Sequence, residues 1–225
     1  MEPRYKPHTP RLKIVYNYIK ELFRDELPDD LKFHIAKHTL HTTKGVVASA
    51  NRIAISEGVS EHDRELLITA AYFHDAGYVI EYNKNEPIGA RMAGRILKLI
   101  GYKPNEIAKI QKMILATDLE VEPKTHLEKI LCDADLDHFG REDFFKLDGK
   151  LKEGRRARGI DVSDEAKWYE GTLEFMKKHQ YYTESQKKLR GKGKQKNIKR
   201  LIKKIENFEK RYEAKYNPVL LFQQP

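Results

Sequence analysis

The residues most able to do chemistry are His74 and Asp75, which directly follow the apolar stretch 70–73. An adjacent imidazole and carboxylate can bind one metal ion when a helix ends between or just after them, because the turn lets both side chains converge. Apolar neighbours exclude water and strengthen the electrostatics of such a site. The pair alone is equally typical of a buried, hydrogen-bonded histidine beside a capping aspartate, so other residues must decide.

Further imidazoles and carboxylates occur on the neighbouring predicted helices. His41 opens a helical segment upstream of the pair, and His34 and His38 come shortly before it. Downstream, Asp133 and Asp135 lie on another helical segment, two residues apart, so they point in different directions. The chain therefore carries a histidine, a His-Asp pair and an aspartate in that order on three successive helical segments.

This order resembles the signature of the HD superfamily, an all-helical class of metal-dependent phosphohydrolases. The resembling stretches include residues 41–47, 70–78, 114–117, 122–125 and 128–141. They are similar to a bacterial and archaeal group described as predicted metal-dependent HD phosphohydrolases. The likeness covers roughly residues 35–185.

The resemblance implies a role for each matching residue. The implied metal ligands are His41, His74, Asp75 and Asp135. Asp75 is also expected to orient the attacking water, and Asp133 is expected to be a structural or supporting carboxylate. His38 is the alternative first ligand, or else a general acid or substrate contact, and the choice between His38 and His41 stays open at this point.

The expected cofactor is one divalent metal ion. Relatives with two metals use extra histidines after the His-Asp pair, but here no histidine lies between Asp75 and His126. Two imidazoles and two carboxylates suit Mn²⁺, Fe²⁺, Co²⁺, Ni²⁺ or Zn²⁺, and Mg²⁺ less well. Such an ion would activate water and polarise a phosphate.

The expected reaction is hydrolysis of a phosphate ester or anhydride, with a nucleotide or a similar small phosphorylated metabolite as substrate. The candidate substrate contacts are Arg91, Lys112, Arg141 and Asp143, the last of them for a sugar hydroxyl. Three alternatives are a phosphodiesterase acting on nucleic acid or a cyclic dinucleotide, a nonenzymatic binding module with the same fold, and an oxygenase. The oxygenase would need two irons, and the missing histidines argue against it.

The elements that must position these residues are predicted to be helices throughout. Apolar residues recur at three- and four-residue spacing in most of the chain, and no convincing alternation of polar and apolar residues predicts strands. Helices are expected near residues 12–23, 39–57, 61–74, 87–99, 104–116, 125–139, 164–178 and 183–211. The fold class is therefore all-α, an HD-domain helical bundle with a basic C-terminal helical extension.

Charge and composition define the expected domains. Residues 1–182 are expected to form the HD domain, with its motif core at about 35–145, and residues 183–225 a basic extension packed on or near it. The formal charge is +9, and residues 187–211 alone carry twelve Lys or Arg and two Glu, a net +10. This segment is the feature that favours nucleic acid as a partner, although a solvated helix face explains it as simply.

Other classes of protein are excluded or disfavoured by the sequence. One cysteine, Cys132, rules out an internal disulfide and zinc sites built from several cysteines. No apolar run approaches the roughly 20 residues of a membrane span, and the N-terminus lacks the apolar stretch of a secretory signal. The expected location is the cytoplasm, without a membrane partner.

Overall fold

The computed structural model describes residues 5–31, 35, 37–41 and 43–216, with the backbone alone described at Lys37 and at 212–216. His34, Thr42 and the final segment 218–225 lie outside the described residues. In the part of the chain that is described, every regular element is a helix, which confirms the all-α fold. No helix in that part is both long and apolar enough to cross a bilayer.

The α-helices follow one another along the described residues. They are α1 (Pro10–Asp25), α2 (Asp29–Leu31), α3 (Lys37–Leu40), α4 (Val46–Ser56), α5 (Glu61–Phe73), α6 (Asn85–Leu99), α7 (Pro104–Leu115), α8 (His126–Asp135), α9 (Phe144–Ala157), α10 (Glu165–Lys178) and α11 (Glu184–Tyr216). Short 3₁₀ helices follow α5 at Ala76–Val79 and α8 at Leu136–Gly140.

The chain divides into two compact units, each built from two separate segments. The first unit contains Met1–Asp137 and Tyr182–Lys187, and the second contains His138–Tyr181 and Lys188–Pro225. The boundary predicted from the sequence is a single one, after residue 182. A simple division of that kind takes no account of a segment that returns to an earlier unit.

The centre of the first unit is α5, which packs against α1, α4 and α7. Its side chains from Glu65 to Phe73 are all buried, and each large apolar one contributes roughly 1.5–3 kcal/mol by leaving water. A serine just before an apolar helical run predicts an N-cap. Ser60 caps the start of α5 in this way, since its hydroxyl oxygen accepts the Asp63 N–H at 3.2 Å. Because α5 is enclosed on all sides, the residue that ends it, His74, lies in the protein interior.

The turn after α5 is held by a close backbone contact. A Cβ added at Gly77 would lie 2.0 Å from the carbonyl oxygen of Asn85, at the start of α6. Glycine is therefore required there by proximity, and the contact fixes the 3₁₀ helix that follows Asp75. Because the chain turns here between α5 and α6, the Asp75 carboxylate can approach the imidazole of His74.

The single helix expected over residues 39–57 is interrupted in the structure. It is present as α3 and α4, and residues 43–45 form a turn before α4. Gly45 takes an extended conformation, with φ −80° and ψ 168°, and a Cβ there would lie 2.7–2.8 Å from backbone atoms of His38 and His41. The apolar periodicity that supported the prediction begins only at Val46, so it does not extend the helix back through the turn.

The segment 182–187 is attached to the first unit by buried hydrogen bonds. The carboxylate of Asp133 accepts the N–H groups of Tyr182 and Thr183, both at 2.8 Å, and the Thr183 hydroxyl at 2.6 Å. The side-chain amide of Gln186 donates to the Asp137 carboxylate at 2.8 Å. Asp133 is thus a structural carboxylate, in agreement with its expected role.

The second unit contains a helix that the sequence analysis missed, α9. Its buried residues are Phe144, Asp148 and Gly154, so its inward face combines an aromatic ring with a carboxylate. The Asp148 carboxylate instead accepts hydrogen bonds from the Trp168 indole at 2.8 Å and the Thr172 hydroxyl at 3.2 Å, both on α10. Polar contacts join these two helices, and a search for apolar spacing does not find them.

Candidate metal centre

His74 presents one ring nitrogen to a cluster of acidic and imidazole side chains. Its Nδ1 donates a hydrogen bond to the Ala71 carbonyl oxygen at 2.8 Å, in the last turn of α5. A carbonyl oxygen can only accept, so Nδ1 carries a proton, and the neutral imidazole keeps a lone pair on Nε2. The side chain is about 1% exposed, so water does not satisfy that lone pair.

The Nε2 atom of His74 faces two carboxylates and has no hydrogen-bond partner among the described residues. It lies 3.1 Å from Asp75 Oδ2 and 3.5 Å from Asp135 Oδ1, without the geometry of a hydrogen bond. Lone pairs that face one another across such distances repel unless a positive charge lies among them. Metal bonds of about 2.0–2.2 Å place neighbouring ligand atoms about 3 Å apart, so these positions fit a shared cation.

His38 brings a second imidazole to the same point. Its Nε2 lies 2.7 Å from Asp135 Oδ1, and its ring centroid is 5.7 Å from that of His74. Ligand atoms of His38, His74 and Asp135 all lie within 4.8 Å of one another. The His38 and Asp135 side chains are about one-fifth exposed, which leaves an approach for an ion or a substrate.

The charges around this cluster favour a positive charge within it. Burial disfavours the imidazolium form of His74, but the charges of Asp75 and Asp135 outweigh it and raise the pKa of His74 well above its usual value. Burial opposes ionisation of Asp135, yet His38 and His74 hold the pKa of Asp135 below its usual value. A divalent ion bound here would supply the positive charge that, without the ion, a proton on His74 supplies.

Asp75 is held at the edge of the cluster by Thr39. The Thr39 hydroxyl, which is fully buried, donates to Asp75 Oδ2 at 3.3 Å. Thr39 is next to His38 on α3, so one short helix supplies an imidazole and also orients a carboxylate on the facing element. The sequence analysis did not identify Thr39, because its role depends on packing between distant segments.

His41, the first ligand implied by the resemblance, occupies the turn after α3. Its Nδ1 accepts the backbone N–H groups of Thr43 at 3.3 Å and Lys44 at 3.2 Å. In a neutral imidazole this arrangement places the proton on Nε2. His41 is not in the group of ligand atoms found among the described residues, and the histidine brought to that group is His38.

Two further side chains lie in the electrostatic field of the cluster. Burial, and then the charge of Asp75 with a smaller effect of Asp135, raises the pKa of the Tyr78 hydroxyl. Burial, followed by the charges of Asp118, Asp75 and Asp135, raises the pKa of Glu86. Tyr78 lies in the stretch 70–78 that resembles the HD superfamily.

The four expected substrate contacts are placed on different elements. Arg91 on α6 and Lys112 on α7 are exposed. In the second unit, Arg141 forms a two-point ion pair with Asp143, with distances of 2.9 Å from Nε and 2.8 Å from Nη2. Substrate binding by these residues stays a prediction.

Comparison with known proteins agrees with the all-helical fold and identifies its domain. The protein-family model of the HD domain matches residues 35–140, a range that includes all the implied ligands. The fold is similar to the crystal structure of a predicted HD superfamily hydrolase from an uncultured Thermotogales bacterium, with a TM-score of 0.53 and 19% sequence identity over 92% of this chain and 94% of that one. No curated protein sequence matches the chain.

Proposed function

We propose that this chain, which belongs to the HD superfamily through residues 35–140, hydrolyses a phosphate ester or anhydride of a nucleotide or a similar small phosphorylated metabolite. The HD domain supports a metal-dependent hydrolase in general. The observation that carries the proposal is the buried Nε2 of His74, whose lone pair faces the carboxylates of Asp75 and Asp135. We infer one divalent ion there, of the Mn²⁺, Fe²⁺, Co²⁺, Ni²⁺ or Zn²⁺ type, with Mg²⁺ less suited.

The ligands that we propose are His38, His74, Asp75 and Asp135, with His38 in the place that the sequence resemblance gave to His41. When bound, the metal supplies Lewis acidity toward a phosphoryl oxygen and lowers the pKa of a coordinated water. Asp75 orients the attacking water and accepts its proton, because its carboxylate adjoins the cluster and is fixed by Thr39. The Nδ1–H of His74, bonded to Ala71, keeps the ring in the orientation that ligation needs.

The test is phosphate release from nucleotides and generic phosphate esters with Mn²⁺, Ni²⁺, Co²⁺ or Mg²⁺ added. We expect wild type to release phosphate only with metal, and Asp75→Asn to lose at least about 100-fold in rate, since general base catalysis alone contributes 10²–10⁴-fold. Glu120→Gln removes an exposed carboxylate and should match wild type. Metal-dependent release that is equal in Asp75→Asn and wild type would contradict the assignment of Asp75.

A second candidate function, cleavage of nucleic acid, is favoured by one surface. Five lysines on α11 are separated by four, four, three and four residues, which places them within a sector of about 80° and along about 22 Å of helix. This lysine stripe consists of Lys188, Lys192, Lys196, Lys199 and Lys203. All five are exposed, and none is paired with a carboxylate of the described residues.

The lysine stripe fits a duplex phosphate backbone better than a membrane or a single strand. The apolar side of the same helix, with Ile198, Leu201 and Ile205, is buried and has no face to insert into lipid. Aromatic side chains that would stack on unpaired bases are absent from the stripe. The contacts would therefore be electrostatic and independent of base sequence.

The prediction for the lysine stripe is a steep salt dependence of duplex binding. If all five lysines neutralise phosphates, the logarithm of the association constant should fall against log[KCl] with a slope of about −4.5. Fluorescence anisotropy with a labelled duplex measures it, and changing all five to glutamine should bring the slope near zero. The matched control changes five exposed lysines elsewhere to glutamine, namely Lys20, Lys98, Lys109, Lys124 and Lys177. If the slope moves toward zero equally in both variants, net charge, and not the lysine stripe, attracts the duplex.

A further inference from the structure

The first unit contains a cavity of about 430 Å³ that is separate from the metal cluster. It is bordered by the segment that precedes α1, by α1 itself, by the end of α3 and by the start of α4. Neither His38, His74, Asp75 nor Asp135 is among its lining residues. Its volume falls in the usual range for small-molecule sites, about 300–1,000 Å³.

The walls of the cavity combine apolar surface with aromatic rings. Val47, Ala48 and Leu40 supply aliphatic surface, and Tyr16 and Tyr72 supply rings whose centroids are 6.0 Å apart and tilted by 57°. Tyr72 and Val47 are buried, so this part of the lining is fixed by the core. A flat, partly apolar ring is the kind of group that such a wall accommodates.

The rim of the same cavity is positively charged. Lys6 and Lys13 line it, and no carboxylate does so among the described residues. Asn17 adds a side-chain amide and His41 an imidazole. Two ammonium groups and further donors suit an anion.

We propose that this cavity binds a small molecule that joins a flat aromatic ring to a phosphate-like anion, the chemical class of a nucleoside monophosphate. The ring lies against the tyrosines, and the anion meets Lys6 and Lys13. An inorganic anion would leave the aromatic wall unused, and a neutral apolar ligand would leave both lysines without a role. The site needs no metal, so it is independent of the proposed hydrolysis.

Calorimetric titration of the full chain with AMP, adenosine and inorganic phosphate tests this site. The titrations use protein treated with EDTA, and separately His74→Ala, so that the metal centre does not contribute. AMP should bind in both cases, at least tenfold more tightly than adenosine or phosphate. The double variant Lys6→Glu and Lys13→Glu should weaken AMP at least tenfold and leave adenosine unchanged.

The control variant reverses two exposed lysines outside the cavity, Lys98→Glu and Lys124→Glu, and should bind AMP as wild type does. Circular dichroism checks that each variant is folded. Three results would overturn the proposal: no AMP binding by the EDTA-treated chain, phosphate binding as tight as AMP binding, or AMP binding that Lys6→Glu and Lys13→Glu leave intact. The last result would assign bound AMP to another part of the chain.

Discussion

His38→Ala should remove metal and hydrolytic activity together, whereas His41→Ala should keep both. Nε2 of His38 lies 2.7 Å from Asp135 Oδ1 and within the group formed with His74. In His41, Nδ1 accepts the Thr43 and Lys44 N–H groups, so a neutral ring carries its proton on Nε2 and has no lone pair there for a metal. Loss of an outer partner of a metal ligand costs 10–100-fold in affinity, so loss of a ligand should cost at least about 100-fold.

The measurement is metal content by mass spectrometry after loading with Mn²⁺ or Ni²⁺ and dialysis, together with the rate of phosphate release. The two variants remove the same group from positions three residues apart, so each controls for the other. If His41→Ala loses the metal and His38→Ala retains it, His41 is the ligand, as the resemblance to the HD superfamily implied. In that case His38 would be a general acid or a substrate contact, and His38→Ala would lower the rate at full metal content.

The second large effect is expected in the second unit, from a methyl group added at Gly193. A Cβ there would lie 2.0 Å from the Gly140 carbonyl oxygen and 2.9 Å from its carbon, both backbone atoms. Backbone does not give way like the end of a flexible side chain, so Gly193→Ala should force α11 away from residue 140. We expect it to lower the free energy of unfolding by at least about 2 kcal/mol.

Gly191→Ala is the matched control for Gly193→Ala. It lies two residues earlier on the same helix, and a Cβ there meets nothing within 4 Å. Alanine should therefore raise the free energy of unfolding by about 0.5–1 kcal/mol through its better helix propensity. Urea unfolding followed by the fluorescence of Trp168, the one tryptophan of the chain and a residue of the second unit, measures both variants. Equal stability of the two would show that the contact between residues 140 and 193 does not matter.

The same two glycines show where local sequence preference stops being informative. In the sequence, the stretch 191–194 is a possible loop or weak point, since glycine disfavours helix. In the structure, α11 runs without interruption through it. Gly193 is there because another part of the chain passes close by, and no periodicity within the helix carries that information.

Periodicity and capping did determine much of the fold. The apolar spacing in α1, α5 and α7 predicted helices whose inward residues are buried, and Ser60 predicted the start of α5. These features depend on residues within a few positions of one another. The helix α9 buries Asp148 as well as Phe144, and the partners of Asp148, Trp168 and Thr172, come twenty or more residues later, so this contact cannot be found from local spacing.

The sequence by itself determined the helical class, the HD resemblance and the candidates His74, Asp75 and Asp135. Helix periodicity depends on residues a few positions apart, and the motifs are recognised by their order along the chain, so neither needs the tertiary structure. Only the tertiary structure brought His38 and Thr39 to the cluster and His41 to a turn and a separate cavity. The physical reason is that α3 ends at Leu40, so that His38 lies in the helix and His41 lies outside it. A continuous helix would fix the directions of His38 and His41 by their spacing of three residues, but the turn uncouples them. Where each imidazole points is then set by packing against α1, α5 and α8, which lie far away in the sequence.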